Sequence, residues 1–201
     1  MREWVFRWRG YVLIPSAALV LALCRPTKES FLLGLLVAAL GEALRIWGVG
    51  YSGTTTRESR VIAPQLVTAG PYAYVRNPLY VGNFITAFGF VIVGCGGLDW
   101  SLRWLLASVQ IVSYVTVYGI IIPLEEAYLS KMFGDDYQQY LASVPRVLPR
   151  LTPYSHRQGT FRWGVISSAE IHTLALFTVM IFMMLAKLIM QSRVWELVLR
   201  G

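Results

Sequence analysis

Five long apolar stretches, separated by shorter polar connections, dominate this sequence. They cover about residues 11–25, 30–50, 78–96, 101–123 and 164–190. A helix needs roughly 20 apolar residues to cross the hydrocarbon core of a bilayer, and a lipid-exposed backbone must satisfy its own hydrogen bonds. The pattern therefore predicts an all-α, polytopic membrane protein with about five transmembrane helices, built as a single integral membrane domain over residues 1–201.

The composition agrees with a membrane protein and argues against other classes. Of the 201 residues, 56% are hydrophobic and only 14% are charged, which is too apolar for an ordinary soluble domain. The net charge is +7, and the basic residues lie between the apolar stretches rather than along one face. Membrane topology explains this distribution, so we expect no nucleic-acid partner. The absence of CxxC motifs and cysteine–histidine clusters argues against a metal site, and pairing of Cys24 with Cys95 stays open.

Lysine and arginine are distributed unevenly between the two sides of the predicted bundle. With the N-terminus in the cytoplasm, eleven lie in the inner segments and five in the outer ones. The positive-inside rule favours this orientation. It places two long polar segments, residues 51–77 and 124–159, on the cytoplasmic face, where a site built from both would meet cytosolic ligands and lipids of the inner leaflet.

A polar, aromatic hinge leads into the third apolar stretch. It reads Gly70-Pro71-Tyr72-Ala73-Tyr74-Val75-Arg76-Asn77-Pro78. Gly-Pro is a turn signal, and the second proline suits the first turn of a helix. Free N–H groups at a helix N-terminus, a cation and aromatic faces fit a ligand with a carboxylate and a flat ring. The same residue types are also typical of an interfacial anchor, so the residues alone leave both interpretations open.

Two adjacent glutamates, Glu125 and Glu126, follow the fourth apolar stretch, which we expect Pro123 to end. Only a short, glycine-rich connection joins the third and fourth stretches, so these helices should be antiparallel neighbours whose cytoplasmic ends lie close. The glutamates would then face Arg76 and Asn77. Such a group fits a zwitterionic, amino-acid-like ligand, with the acids on an ammonium and Arg76 on a carboxylate. A surface salt bridge is the alternative.

Other polar residues lie within or beside the apolar stretches. Glu42 and Arg45 share a helical face. Because an ionised residue at mid-bilayer costs on the order of 2.5–3.5 kcal/mol, either they pair within their helix or Arg45 lines a polar pocket. Glu170 and His172 are two positions apart and do not share a face, and we expect His172 to be a packing or interfacial residue. The threonines at 54–56 would bind a ligand or their own backbone.

Several motifs occur in order between about residues 41 and 150. They are Leu66-Val67-Thr68-Ala69-Gly70-Pro71-Tyr72, Arg76-Asn77-Pro78-Leu79-Tyr80-Val81-Gly82, Glu125-Glu126, Phe133-Gly134 and Val144-Pro145-Arg146. Together they resemble the isoprenylcysteine carboxyl methyltransferase and phospholipid N-methyltransferase family. The resemblance implies a helical membrane enzyme that transfers a methyl group from S-adenosylmethionine, bound on the cytosolic side, to a lipid or lipid-modified acceptor. Its methyltransferase-like core would cover about residues 41–150, with an additional C-terminal helix at about 164–190.

The resemblance also implies the residues of a cofactor site. The adenosine part would be enclosed by Gln65, Leu66, Val67 and Tyr72, the methionine part covered by Asn77, Pro78, Leu79 and Tyr80, and the ammonium held by Glu126 with Glu125 beside it. Two positions depart from the family pattern. Asn77 stands where the family usually has histidine, and an isoleucine run at 120–122 replaces an arginine that isoprenylcysteine enzymes carry shortly before the glutamates. The second departure argues against an isoprenylcysteine acceptor.

Methyl transfer from a sulfonium mainly needs alignment and exclusion of water. We expect Tyr80, with Tyr72, to face the sulfonium, Arg76 to bind the ligand carboxylate, and Glu125 to take the proton of an amine acceptor. An NADPH-dependent lipid or sterol reductase and a non-catalytic membrane protein of the same fold are the alternatives. The paired glutamates disfavour the reductase because they would repel a nucleotide phosphate. A Rossmann methyltransferase is excluded by the lack of a glycine-rich loop after a strand.

Overall fold

The computed structural model describes residues 12–53 and 65–200, with side chains to residue 192. The helices are α1 (Ile14–Leu23), α2 (Lys28–Ser52), α3 (Pro78–Cys95), α4 (Trp100–Ser143), α5 (Ile166–Ala169) and α6 (Ile171–Arg200). Two short 3-10 turns cover Gly70–Ala73 and Trp163–Val165. These two described ranges contain no strand, so the predicted all-helical architecture is confirmed there.

Four helices, α2, α3, α4 and α6, are long and apolar enough to cross a membrane; in α6 the apolar part is Ile171–Ser192. The helix α1 has only 10 residues, fewer than the roughly 20 that a bilayer core requires. The predicted polytopic membrane protein is therefore confirmed, but with four candidate spans rather than about five in the described part of the chain.

The helix of the fourth span does not end at Pro123. The helix α4 continues through this proline to Ser143, and the interior residue with a non-helical backbone is Gly134, at φ 51°. An internal proline removes one backbone hydrogen bond and can kink a helix, but the chain on either side can stay helical. Glu125 and Glu126 consequently lie on the same helix as the membrane-spanning residues, and that helix sets their directions.

The helices α2 and α3 approach each other along a seam of small residues. A Cβ atom at Gly89 would lie 2.4 Å from the backbone nitrogen of Ala38, and one at Gly82 would lie 2.7 Å from Cγ of Arg45. Glycine is needed where two helix backbones come this close. The close approach encloses the Arg45 side chain between the two helices.

We expect Gly89→Ala to lower the free energy of unfolding by about 1–3 kcal/mol, because the added methyl group overlaps the backbone of α2. Gly119→Ala is the matched control, since a Cβ atom at Gly119 meets nothing within 4 Å. Alanine favours a helix over glycine, so the control should be neutral or stabilising by up to about 1 kcal/mol. Thermal unfolding in detergent measures both, and equal stability of the two variants would contradict the close approach.

The helix α6 packs on the other helices through an apolar cluster and through the side chain of Lys187. One side of its middle joins an apolar cluster with α1, α3 and α4 that includes Phe177, Met180, Ile181, Met184, Val20, Phe90 and Leu106. Further along, Lys187 Nζ donates to the main-chain oxygens of Leu21 and, at 3.1 Å, of Ala22. These carbonyls end α1 and would otherwise lack helical partners. Both cysteines are free, and Cys24 is buried beside Gly94.

Candidate functional site

The segment before α3 and the segment after α4 are joined by hydrogen bonds. The backbone N–H of Tyr154 donates to the carbonyl of Ala73 at 2.8 Å. The buried hydroxyl of Thr68 donates to the carbonyl of His156 at 2.8 Å and accepts from the N–H of Gln158 at 2.8 Å. Two segments far apart in the sequence therefore form one layer over the ends of α3 and α4.

Arg76 links the start of α3 to the far part of α4. Its Nη1 donates to the carbonyls of Leu141 at 2.7 Å and Val144 at 2.9 Å, and its Nη2 lies 3.0 Å from Oε1 of Glu126. The predicted approach of Arg76 to the glutamates is thus observed for Glu126. Three contacts from one guanidinium hold it in a defined position.

Glu126 lies between two guanidinium groups. Arg146 Nε donates to Oε1 of Glu126 at 3.1 Å, and its Nη2 donates to Oε2. This hydrogen bonding raises the pKa of the Arg146 guanidinium above its ordinary value. The Glu126 side chain is 11% exposed whereas that of Arg146 is 51% exposed. A ligand ammonium at Glu126 would therefore share the carboxylate with Arg76 and displace the more exposed arginine.

Arg146 has no predicted role in the site, although the motif Val144-Pro145-Arg146 contains it. Asn77 positions the loop that carries this arginine, because its Nδ2 donates to the carbonyl of Arg146 at 3.0 Å. The side chain of Asn77 does not cap α3, while its own carbonyl accepts from the N–H groups of Tyr80 and Val81 at 3.1 Å each. An uncharged amide is sufficient for this contact.

The two adjacent glutamates have different partners. The hydroxyl of Tyr80 donates to Oε1 of Glu125, and the Tyr80 ring stacks on Tyr118 with centroids 4.4 Å apart. Successive residues of an α-helix point about 100° apart, so Glu125 faces the first turn of α3 while Glu126 faces Arg76. The glutamates therefore form two separate polar groups rather than one shared acidic pair.

Tyr72 belongs to the 3-10 turn Gly70–Ala73 that precedes α3. Its main-chain oxygen accepts a hydrogen bond from the hydroxyl of Tyr140 at 2.7 Å. Burial raises the pKa of the Tyr72 hydroxyl above its ordinary value; a hydrogen bond with Ser52 opposes the rise, and the carboxylates of Glu125 and Glu170 add to it. The phenol consequently stays protonated near neutral pH and is not available as a base.

Arg45 of α2 is the centre of a buried polar network that includes Asn83 of α3 and Glu170, the residue between α5 and α6. Its Nη2 donates to both carboxylate oxygens of Glu170, at 2.8 and 2.9 Å, and its Nη1 donates to Oδ1 of Asn83. Glu42, the intrahelical partner considered above, lies 3.6 Å from Arg45 Nε and accepts no hydrogen bond within the described residues. Asn83 extends the network by donating to the hydroxyl of Tyr118 at 2.9 Å.

Neither Asn83 nor Glu170 was predicted as part of a site. The signal for Glu170 was present, because a carboxylate inside an apolar stretch requires a partner and few cations lie at that depth. His172, two residues later, is exposed, which fits an interfacial residue rather than a packing residue.

The other predicted cofactor residues differ in exposure. Leu66 is buried against Tyr137, Tyr140 and Tyr154, and Leu79 lies where it would contact a Cβ atom at Gly48. Val67 is half-buried and Gln65 is exposed, while Pro78 is buried as the first residue of α3. Residues 54–64, including the three threonines, lie outside the described residues.

The sequence is similar to those of a known family and of several individual proteins. The sequence model of the phospholipid methyltransferase family matches residues 30–136. The nickel-cobalt-cadmium resistance protein NccN of Alcaligenes xylosoxydans xylosoxydans is 34% identical over 122 residues, which is 60% of this chain and 49% of that protein. Protein-S-isoprenylcysteine O-methyltransferase of Schizosaccharomyces pombe is 43% identical over 84 residues, 42% of this chain and 33% of that protein. The human enzyme of the same name is 31% identical over 124 residues, which is 58% of this chain and 40% of that protein.

The chain thus spans between a third and a half of the length of these relatives. One relative is named for metal resistance, but the described residues contain no group of three or more histidine, cysteine, aspartate or glutamate side chains placed to hold a metal ion. The family match includes Arg76, Tyr80 and both glutamates, whereas Glu170 lies beyond it. The family resemblance expected from the motifs is confirmed, and because the match covers more than half of the chain, the protein belongs to the phospholipid methyltransferase family.

Proposed function

We propose that this protein transfers a methyl group from S-adenosylmethionine to a lipid or lipid-modified acceptor at the cytosolic face of the membrane. The observation that carries the proposal is the convergence of Arg76 and Arg146 with Glu126 where α3 begins, next to the Tyr80–Glu125 pair. Membership of the family supports methyl transfer. The isoprenylcysteine named in several relatives supports a lipid-modified acceptor.

The residues present fit S-adenosylmethionine. Arg76 and Arg146 supply guanidinium groups for a carboxylate, and the buried Nε of Arg76 has no hydrogen-bond partner among the described residues. Glu126 supplies oxygens for an ammonium. Tyr72 and Tyr80 supply aromatic rings, whose faces attract a cation such as a sulfonium. Cationic and anionic groups for both ends of an amino acid are therefore present beside aromatic surface.

When bound, S-adenosylmethionine supplies an electrophilic methyl group, and the acceptor lone pair bonds to its carbon as the electrons of the broken bond return to sulfur. Tyr80, stacked on Tyr118, forms an aromatic surface that excludes water from the acceptor. Glu125, held by the Tyr80 hydroxyl, receives the proton of an amine acceptor at Oε1. The chain therefore acts mainly by alignment, which is worth several kcal/mol, of order 7–11 in the best cases.

Ligand binding to the purified protein in detergent tests this proposal. We expect S-adenosylhomocysteine to bind saturably and NADPH not to bind, because two carboxylates beside the ligand repel phosphate groups. Binding of NADPH alone would favour a lipid or sterol reductase, and binding of neither would favour a non-catalytic membrane protein. Mass spectrometry of membrane lipids from cells with and without the protein, searching for the increment of one CH₂ group, then identifies the acceptor.

A further inference from the structure

A chain of hydrogen bonds and one ring-stacking contact runs from the buried network to the proposed site of methyl transfer. Arg45 binds Asn83, Asn83 binds Tyr118, Tyr118 stacks on Tyr80, and the Tyr80 hydroxyl binds Glu125. Asn83 lies about one turn further into α3 than Tyr80, and Tyr118 lies about two turns before Glu125 in α4, so the network lies on the bilayer side of the Tyr80–Glu125 pair. A lipid acceptor has its apolar part in the bilayer, so its head group would come to the site from the side on which the network lies.

Within this network Arg45 is the cationic side chain that an acceptor carboxylate would have to bind. Its donors are already directed at the protein's own groups: Nη2 contacts both oxygens of Glu170, and Nη1 contacts Asn83. The remaining Nε faces Glu42 at 3.6 Å. A carboxylate from outside would have to displace one of these partners and leave it buried without a cation.

The charge balance of the Arg45 network also disfavours an acceptor carboxylate. One guanidinium is flanked by two carboxylates, Glu42 and Glu170, and Glu170 alone neutralises it even if Glu42 is protonated. An added carboxylate would place an uncompensated negative charge in a buried environment, which costs several kcal/mol. An amine adds no negative charge, and its protonated form is attracted to the network.

We propose that Glu170 is a specificity-determining residue that excludes carboxylate acceptors and favours a basic amine. This inference rests on the proposed function. In the amine reaction the nitrogen lone pair forms the bond to the methyl carbon, the carbon–sulfur bond breaks with its electrons going to sulfur, and the nitrogen-bound proton passes to Glu125. Glu170 lies between α5 and α6, outside the residues 30–136 that the family model matches. The selectivity is thus supplied by a residue that is not part of the matched region.

Transfer of a labelled methyl group to two kinds of vesicle tests this role. One contains phosphatidylethanolamine, which offers a primary amine, and the other contains a prenylated cysteine with a free carboxylate. Alkali releases methanol from methyl esters but leaves N-methyl groups intact. We expect the wild-type product to be alkali-stable, and Glu170→Gln to reduce the amine-over-carboxylate ratio at least about tenfold, the effect of a difference of 1.4 kcal/mol. Glu170→Asp, which keeps the charge, should preserve the wild-type ratio.

The matched control is Glu29→Gln, which removes the same charge from an exposed position in the first turn of α2. It should leave the ratio unchanged. Because each ratio is measured within one preparation, partial loss of folded enzyme cancels. Mainly alkali-labile label from the wild type, an unchanged ratio in Glu170→Gln, or binding of S-adenosylhomocysteine without transfer to either vesicle would overturn the role of Glu170. Failure of the wild type to bind S-adenosylhomocysteine would instead overturn the proposed function.

Discussion

Glu126→Gln is expected to weaken binding of S-adenosylhomocysteine by about 100-fold. A hydrogen bond to a charged group contributes about 1.5–3 kcal/mol, and the Glu126 carboxylate is buried, so solvent screens its contact with a ligand ammonium only weakly. Glutamine keeps the size of the side chain, and its amide oxygen still accepts a hydrogen bond from Arg76, which preserves the local fold. Isothermal titration calorimetry of the purified protein in detergent measures the affinity.

Glu125→Gln is the matched control for this prediction. It removes the same charge one residue earlier, but Glu125 contacts Tyr80 rather than the two arginines. We expect little change in the affinity for S-adenosylhomocysteine and a fall of about 100-fold or more in methyl transfer to an amine, because the proton acceptor is lost. Unchanged affinity in Glu126→Gln would refute the ammonium site, and equal losses of affinity would contradict separate roles for the two glutamates.

Arg45→Met is expected to lower the free energy of unfolding by about 3–5 kcal/mol, the usual cost of removing one partner from a buried ion pair. The substitution leaves Glu170, which is 1% exposed, and Glu42, which is 4% exposed, without their cation. Methionine fills much of the volume but cannot donate hydrogen bonds to either carboxylate. Thermal unfolding in detergent, followed by circular dichroism, measures the loss.

A second substitution tests whether the unpaired charge causes this loss. The double variant Arg45→Met/Glu170→Gln should be more stable than Arg45→Met alone, because one uncompensated buried carboxylate has been removed. Arg103→Met is the control; Arg103 donates to the carbonyls of Leu98 and Gly96 at the start of α4 and pairs with no buried acid in the described residues. The free energy of unfolding should fall less in Arg103→Met than in Arg45→Met. A double variant no more stable than the single one would show that the two residues are not coupled.

The partner of Arg45 shows where prediction from spacing ends. Glu42, three residues earlier, was the local candidate, yet it lies 3.6 Å away whereas Glu170 lies at 2.8 Å. Helical periodicity relates only residues within a few turns of one another. It contains no information about a side chain 125 positions further along the chain, in a segment whose position depends on packing.

The paired glutamates and Pro123 also separate what the sequence predicts from what it does not. Their position at the end of a span next to Arg76 followed from the short connection between α3 and α4. Their opposed directions did not, because these depend on α4 continuing as a helix through Pro123. Had the helix ended there, the glutamates would have lain in a loop whose side-chain directions no periodicity constrains.

The sequence by itself determined the class of fold, the set of candidate spans apart from the shorter α1, and the approach of Arg76 to Glu126. These properties follow from the length of apolar runs against the thickness of a bilayer and from short connections, both of which are local. Only the tertiary structure decided that Glu126 binds two arginines and that Glu170, the residue before α6, neutralises Arg45. Contacts of this kind arise from the packing of distant segments, and that packing depends on shape complementarity that no single stretch of residues encodes.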